Sequence, residues 1–116
     1  MRRGDIYYLH LKQDLGNIQA GVRPVIVIQN DVGNRHSPTT IVTCITSKFK
    51  KCLPTHLFIG LNGGLGKYST IMCEQIFTVN TKDLTDYVGT ITDQATLKKL
   101  DRCLRISLGI NQEEIC

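Results

Sequence analysis

The sequence has no tryptophan, no Cys-x-x-Cys pair and no stretch near the ~20 apolar residues that a membrane-spanning helix needs. The missing apolar run excludes a membrane helix. The start, Met1-Arg2-Arg3-Gly4-Asp5, is positively charged but is followed by too short an apolar run for a signal peptide. Five cysteines (Cys44, Cys52, Cys73, Cys103 and Cys116) are an odd number, which fits neither a disulfide framework nor a zinc site. Cys44 and Cys73 stand in apolar runs and read as buried thiols. The three histidines, His10, His36 and His56, are scattered and form no ligand pair. No metal and no cofactor is therefore expected, and reduced cysteines place the protein in the cytoplasm. Asp and Glu are thinly spread, which argues against a carboxylate-pair hydrolase or a two-metal nuclease. There is no G-x-S-x-G, no P-loop and no dinucleotide fingerprint.

What is present is one domain's worth of chain, residues 1–116, with 41% apolar and 21% charged residues. The net charge of +4 permits a polyanionic partner without demanding one. So small a core would gain from a partner subunit.

Short β-prone runs follow one another: 6–11, 25–28, 41–45, 57–61, 70–73, 76–79 and 88–91. Short strands in series predict a small barrel or sandwich. Residues 30–39 are rich in Asn, Asp, Gly, Ser and Pro and are expected to be irregular. Asn62-Gly63-Gly64-Leu65-Gly66 reads as a mobile loop. Residues 81–84 suit a short helical turn. One helix is well marked. Thr92 can cap it, Asp93 suits its first turn, and Leu97, Leu100, Leu104 and Leu108 form an apolar face. Lys98, Lys99, Arg102 and Arg105 fall largely off that face, either solvated or facing a phosphate or partner. Gly109 stops the helix.

Candidate chemistry gathers at strand ends. Gln19, Arg23 and Asn30 bracket the most apolar strand, and Pro24 fixes the backbone just after Arg23. A rigid base is what a catalytic guanidinium needs, although a strand-end Arg paired with a carboxylate fits equally. Thr46 and Ser47 end the next strand. Lys48-Phe49-Lys50-Lys51 is a basic run around an aromatic ring, which can be a solvated loop or a phosphate-tracking, base-stacking segment. Glu74-Gln75 is a polar pair after a buried strand, of a type that can read base edges.

Together these segments resemble the MazF/PemK family of endoribonuclease toxins, over nearly the whole chain. The resemblance rests on Arg3-Gly4-Asp5-Ile6-Tyr7 and on Gly21-Val22-Arg23-Pro24-Val25-Ile26-Val27-Ile28-Gln29-Asn30-Asp31. It continues in order through Ser37-Pro38-Thr39, Leu53-Pro54-Thr55-His56, Ser69, Glu74-Gln75-Ile76 and Ile106-Ser107-Leu108-Gly109. It implies a mainly β fold with a C-terminal helix, a small SH3-like barrel of the MazF/PemK/CcdB type, forming a homodimer. It implies metal-independent cleavage of single-stranded RNA, at short sites containing U-A-C, with Arg23 and Thr46 as the catalytic pair. Gln19, Asn30, Asn34, Ser47, Lys48, Lys50, Lys51, Ser69, Glu74 and Gln75 would bind the RNA. A MazE-like antitoxin would be the protein partner, its acidic tail folding into the RNA groove. The chain departs from the family at Ile18, Ala20 and Phe77. The competing class is a CcdB-like gyrase poison, which shares the fold but depends on a C-terminal Trp-Gly-Ile-type ending. This chain has no Trp and ends Glu113-Glu114-Ile115-Cys116.

Overall fold

Alternating apolar residues and short turns produce six strands in the computed structural model, which describes residues 1–14, 16, 18–48 and 52–110. The elements are β1 (Asp5–Leu11), β2 (Gly21–Val27), α1 (Asp31–His36), β3 (Thr39–Thr46), β4 (His56–Gly60) and β5 (Ser69–Asn80). A 3-10 turn (Thr81–Asp83), β6 (Asp86–Thr90) and α2 (Gln94–Leu108) complete them. The strands form one antiparallel half-barrel sheet in the order β4-β5-β3-β2-β1-β6. The mainly β fold with a C-terminal helix is thus as the sequence led us to expect.

Side-chain alternation gives the sheet an apolar cluster on each face. On one face Ile6, Ile26, Ile45, Leu57, Ile59 and Ile71 pack against Leu100, Cys103 and Leu104 of α2. On the other, Leu9, Val25, Val27, Val42 and Cys44 pack with Leu84. Phe77, one of the departures from the family pattern, is used here as packing against the second cluster.

Asp93 rather than Thr92 caps α2, its carboxylate accepting from the Thr96 N–H at 3.0 Å. Gly109 ends the helix with φ 70°, the left-handed conformation that a side chain disfavours. Leu108, expected on the apolar face, is 59% exposed. Lys98, Lys99, Arg102 and Arg105 are exposed.

Three expectations need correction. Residues 30–39 are not wholly irregular: Asn30 caps the short helix α1 by accepting from the Gly33 N–H at 2.8 Å. The glycine stretch 62–66 is not free of the fold, for it seats backbone to backbone on β6. A Cβ at Gly89 would collide with the Gly63 carbonyl oxygen, and one at Gly64 would come within 3.0 Å of the Val88 carbonyl oxygen. Finally, residues 70–73 and 76–79 belong to one strand, β5. Its register against β3 jumps between the Thr43–Ile76 and Cys44–Met72 pairs, leaving residues 73–75 with no partner on β3. The buried Thr43 hydroxyl donates to the Met72 carbonyl and steadies this bulge.

Candidate functional site

The β5 bulge opens a cleft of about 540 Å³ on the β4-β5-β3-β2 side of the sheet. Bulges re-aim side chains, and this one turns Glu74 and Gln75 into the cleft. Sequence alone read Glu74 as following a strand, whereas it lies inside one.

Arg23 is the third residue of β2 and lines the cleft. Pro24 beside it faces Tyr8 of β1, just short of the β2–β3 ladder, which begins at Val25. A residue without an N–H is tolerated where pairing is one-sided. The Arg23 Nε donates to the Gln19 carbonyl oxygen at 3.1 Å. The β1–β2 loop therefore holds the guanidinium by one edge, and among the described residues its terminal nitrogens have no partner. That loop is tied in turn by the Asp14 carboxylate, which accepts from the Ala20 N–H at 2.7 Å. Ile18 contributes an apolar wall and packs on the second cluster.

Thr46 ends β3 in the same cleft. Its Oγ1 accepts from the Lys48 N–H at 3.2 Å. A hydroxyl that accepts still has its own proton to donate. Lys48 also lines the cleft.

The same cleft is lined by a pair that the sequence did not indicate. The His56 side chain is 7% exposed and its Nε2 lies 3.1 Å from Glu74 Oε2. The Thr55 hydroxyl donates to Glu74 Oε1 at 2.9 Å. Burial alone would raise the Glu74 carboxyl, but bonds from its own backbone amide, His56 and Thr55 outweigh this and hold it below the usual range. Glu74 is thus a fixed carboxylate acceptor. His56 Nδ1 is buried without a partner among the described residues. An ionised carboxylate can only accept, so the His56 Nε2–H donates to Glu74. His56 read as a scattered histidine because its partner is 18 residues away.

Burial pushes the Cys44 thiol up to about 11 and the Cys73 thiol up to about 12, with Arg23 acting weakly against this at Cys44. Neither is a nucleophile near neutrality. Among the described residues, no three His, Cys, Asp or Glu side chains gather as a metal-holding group.

The cleft brings together Gln19, Arg23, Thr46, Lys48, Glu74 and Gln75. Ser47 adjoins Thr46 but is not in its lining, and Lys50 and Lys51 lie outside the described residues. Asn30, Asn34 and Ser69 are elsewhere. Asn30 caps α1. Asn34 accepts from the Thr40 hydroxyl at 2.7 Å and from the Gln29 amide at 3.1 Å, and donates to the Gln29 carbonyl oxygen. It clamps α1 to β3. Ser69 is 3% exposed and donates to the Lys67 carbonyl oxygen. The hydroxyl and amide of these residues serve the local backbone, a use that composition cannot distinguish from ligand contact.

Residues 2–108 match the family model described as PemK-like, MazF-like toxin of type II toxin-antitoxin system. The chain is 46% identical over 112 residues to "Endoribonuclease EndoA" of Bacillus subtilis (strain 168), covering 95% of this chain and 96% of that relative. An endoribonuclease solved in complex with its cognate antitoxin, from a mycobacterial species, superimposes with a TM-score of 0.79 at 27% identity, covering 97% of this chain and 98% of that one. A MazE-MazF structure from Deinococcus radiodurans shares the fold, with a TM-score of 0.75 at 16% identity over 96% of this chain and 97% of that one.

Proposed function

The chain belongs to the PemK-like, MazF-like family of type II toxin-antitoxin toxins, and from that premise we propose that it cuts single-stranded RNA in the Arg23–Thr46 cleft without a metal. It is an endoribonuclease toxin; the chemistry, substrate form and assembly that follow are our reading. The observation that carries this reading is the convergence of Arg23, Thr46 and Lys48 on one cleft, with the base-reading types Gln19, Glu74 and Gln75 in the same lining.

RNA brings its own nucleophile. Attack of a ribose 2′-hydroxyl on the adjacent phosphate, its proton passing to water, builds negative charge on the phosphoryl oxygens and expels the 5′-oxygen of the next nucleotide, which takes a proton from water. Arg23 stabilises that charge through the in-plane N–H donors of its terminal nitrogens, the guanidinium being oriented by the Gln19 carbonyl. Thr46, whose oxygen already accepts from Lys48 N–H, donates its hydroxyl proton to a phosphoryl oxygen. With a pKa above about 12, Arg23 serves as a charge stabiliser rather than as the base. The products are a 2′,3′-cyclic phosphate, or the 3′-phosphate it hydrolyses to, and a 5′-hydroxyl.

Glu74 accepts from the amino edge of a base splayed out of the strand, and Gln75 and Gln19 donate or accept beside it. Selection of short sites, with U-A-C as the working expectation, follows from such fixed polar groups. The chain acts as one toxin domain over residues 1–116, works as a homodimer, and is held inactive by a MazE-like antitoxin whose acidic segment competes for Arg23 and Lys48. No helix of the described residues is long and apolar enough to cross a membrane, which fits action on cytoplasmic mRNA.

The test is cleavage of a long single-stranded RNA by the purified protein, with fragment 5′ ends sequenced, in the presence and absence of EDTA. Cuts that cluster at one short motif and persist in EDTA support the reading. Cuts scattered without a motif, or abolished by EDTA, overturn it.

A further inference from the structure

Strand register places the cleft in line with a second feature that the catalytic reading does not use. Thr46 of β3 pairs with Thr70 of β5, and Thr70 pairs with Phe58 of β4. Arg23 extends the line on β2. It stands two residues before Val25, and Thr46 stands two residues after Cys44, the partner of Val25. Arg23, Thr46, Thr70 and Phe58 thus form one row across four strands.

Phe58 shares the face of that row. Leu57 and Ile59 on either side of it are buried in the α2-side cluster. Alternation therefore turns Phe58, like the cleft-lining His56, to the opposite face. There it stacks with Tyr68, the ring centroids 6.3 Å apart and the planes 23° from parallel. Phe58 is 66% exposed and Tyr68 68%. Lys67, next to Tyr68, is exposed and makes no ion pair with the described residues. Large rings left in water beside a free cation have the makings of a single-strand binding element, because every base offers a π-face and every nucleotide a phosphate.

We propose that Phe58 and Tyr68 form a stacking platform for a base of the bound RNA outside the cleavage centre, with Lys67 contacting the neighbouring phosphate. This rests on the reading of the cleft as an RNA-cleaving site. Two interstrand steps separate Thr46 from Phe58, about 10 Å along the sheet. A stacked strand rises about 3.4 Å per nucleotide, so the platform serves a base within about three nucleotides of the scissile phosphate. Stacking tolerates any base, so the platform adds affinity and fixes strand direction without adding sequence preference.

The experiment uses the full chain and an RNA carrying one 2-aminopurine at each position in turn around a mapped cleavage site. A 2′-deoxy sugar at the scissile nucleotide lets the RNA bind uncut. The expected result is fluorescence quenching at one position within about three nucleotides of the scissile bond. The Phe58→Ala/Tyr68→Ala double variant loses that quenching and binds about tenfold or more weakly, whereas Phe58→Trp keeps both. The two rings are largely exposed, so their removal leaves both cores intact. Unchanged quenching and Kd in the double variant overturn the proposal. So does a double variant that sediments as a smaller species than wild type, since that assigns the rings to contact between copies of the chain. Cleavage of the all-ribose RNA by wild type is measured in parallel. Its absence overturns the cleavage reading, while the binding arm still decides whether the rings hold a base.

Discussion

The carboxylate of Glu74 is fixed by the imidazole of His56, with Nε2 and Oε2 3.1 Å apart at the cleft wall. Thr55 holds the other oxygen at 2.9 Å. If the three residues form one base-reading unit, His56 acts as a positioning residue through Glu74. A hydrogen bond to a charged group is worth about 1.5–3 kcal/mol, so His56→Ala should raise KM about 10- to 100-fold with kcat largely kept. Selectivity at one base of the site should loosen, as read from kcat and KM on single-base variants of the substrate. The pH dependence has a definite sign. The folded-state value of Glu74 is depressed below 4.5, so its bonds are fully present above that value and are lost only as pH falls through the lower folded value. Loss of the Glu74 carboxylate itself should therefore reduce selectivity only as pH falls below the ordinary carboxylate range.

Arg23→Ala should behave differently. Removing a charge-stabilising donor costs about 10²–10³ in rate, and here the loss should fall on kcat. The side chain's hydrogen bond in the described structure goes to the Gln19 carbonyl, so the unfolding midpoint should stay close to wild type. Arg23→Lys should recover only part of the activity, because an ammonium lacks the planar fork. Single-turnover kinetics with a thermal melt on the same preparations checks both halves.

Much of this site was legible in the sequence, and the residues that were not share a physical cause. Arg23 and Thr46 were marked by strand-end position, Lys48 by the basic run that follows, and their roles by the family resemblance. His56 was not, because its partner Glu74 is distant in sequence and meets it only through the β5 bulge. The same bulge made one strand read as two, since the polar pair at 74–75 interrupts the apolar pattern. Asn30 and Asn34 erred the other way. Asn is a natural ligand-binding type, yet here one caps α1 and the other clamps it to β3. Helix α2 was read nearly in full because its 3.6-residue period is local. Leu108 fits the period but, as the last residue of the helix, stays exposed.

Acid stability should report the cap of α2. Hydrogen bonds from the Thr96 hydroxyl, the Asn62 amide and the Thr96 backbone hold Asp93 down at about 2, against 3.8 ordinarily. A depressed carboxylate stabilises the fold above its unfolded-state value, and that contribution is lost as pH falls through the folded one. Part of the stability should therefore disappear between about pH 4 and pH 2. In Asp93→Asn, which keeps an acceptor for the Thr96 N–H, this part of the pH dependence should be absent. Urea melts across that range compare the two proteins.

The cysteines should sort by burial. Burial raises Cys44 to about 11 and Cys73 to about 12, and raises Cys103 as well, whereas Cys52 is exposed. Iodoacetamide at pH 8 should label Cys52 in the native protein and reach Cys44, Cys73 and Cys103 only after unfolding. Peptide mass spectrometry of native and denatured samples reads this directly.

The central claim is that the RNA's own 2′-hydroxyl is the nucleophile and that Arg23 and Thr46 stabilise the charge it creates. The most direct measurement is the mass of both fragments from a short RNA cut once by the purified protein in EDTA. The account predicts a 2′,3′-cyclic phosphate or 3′-phosphate on the upstream fragment and a 5′-hydroxyl on the downstream one, and no cleavage when the scissile nucleotide is 2′-deoxy. A 5′-phosphate on the downstream fragment, or cleavage of the 2′-deoxy substrate, would contradict it.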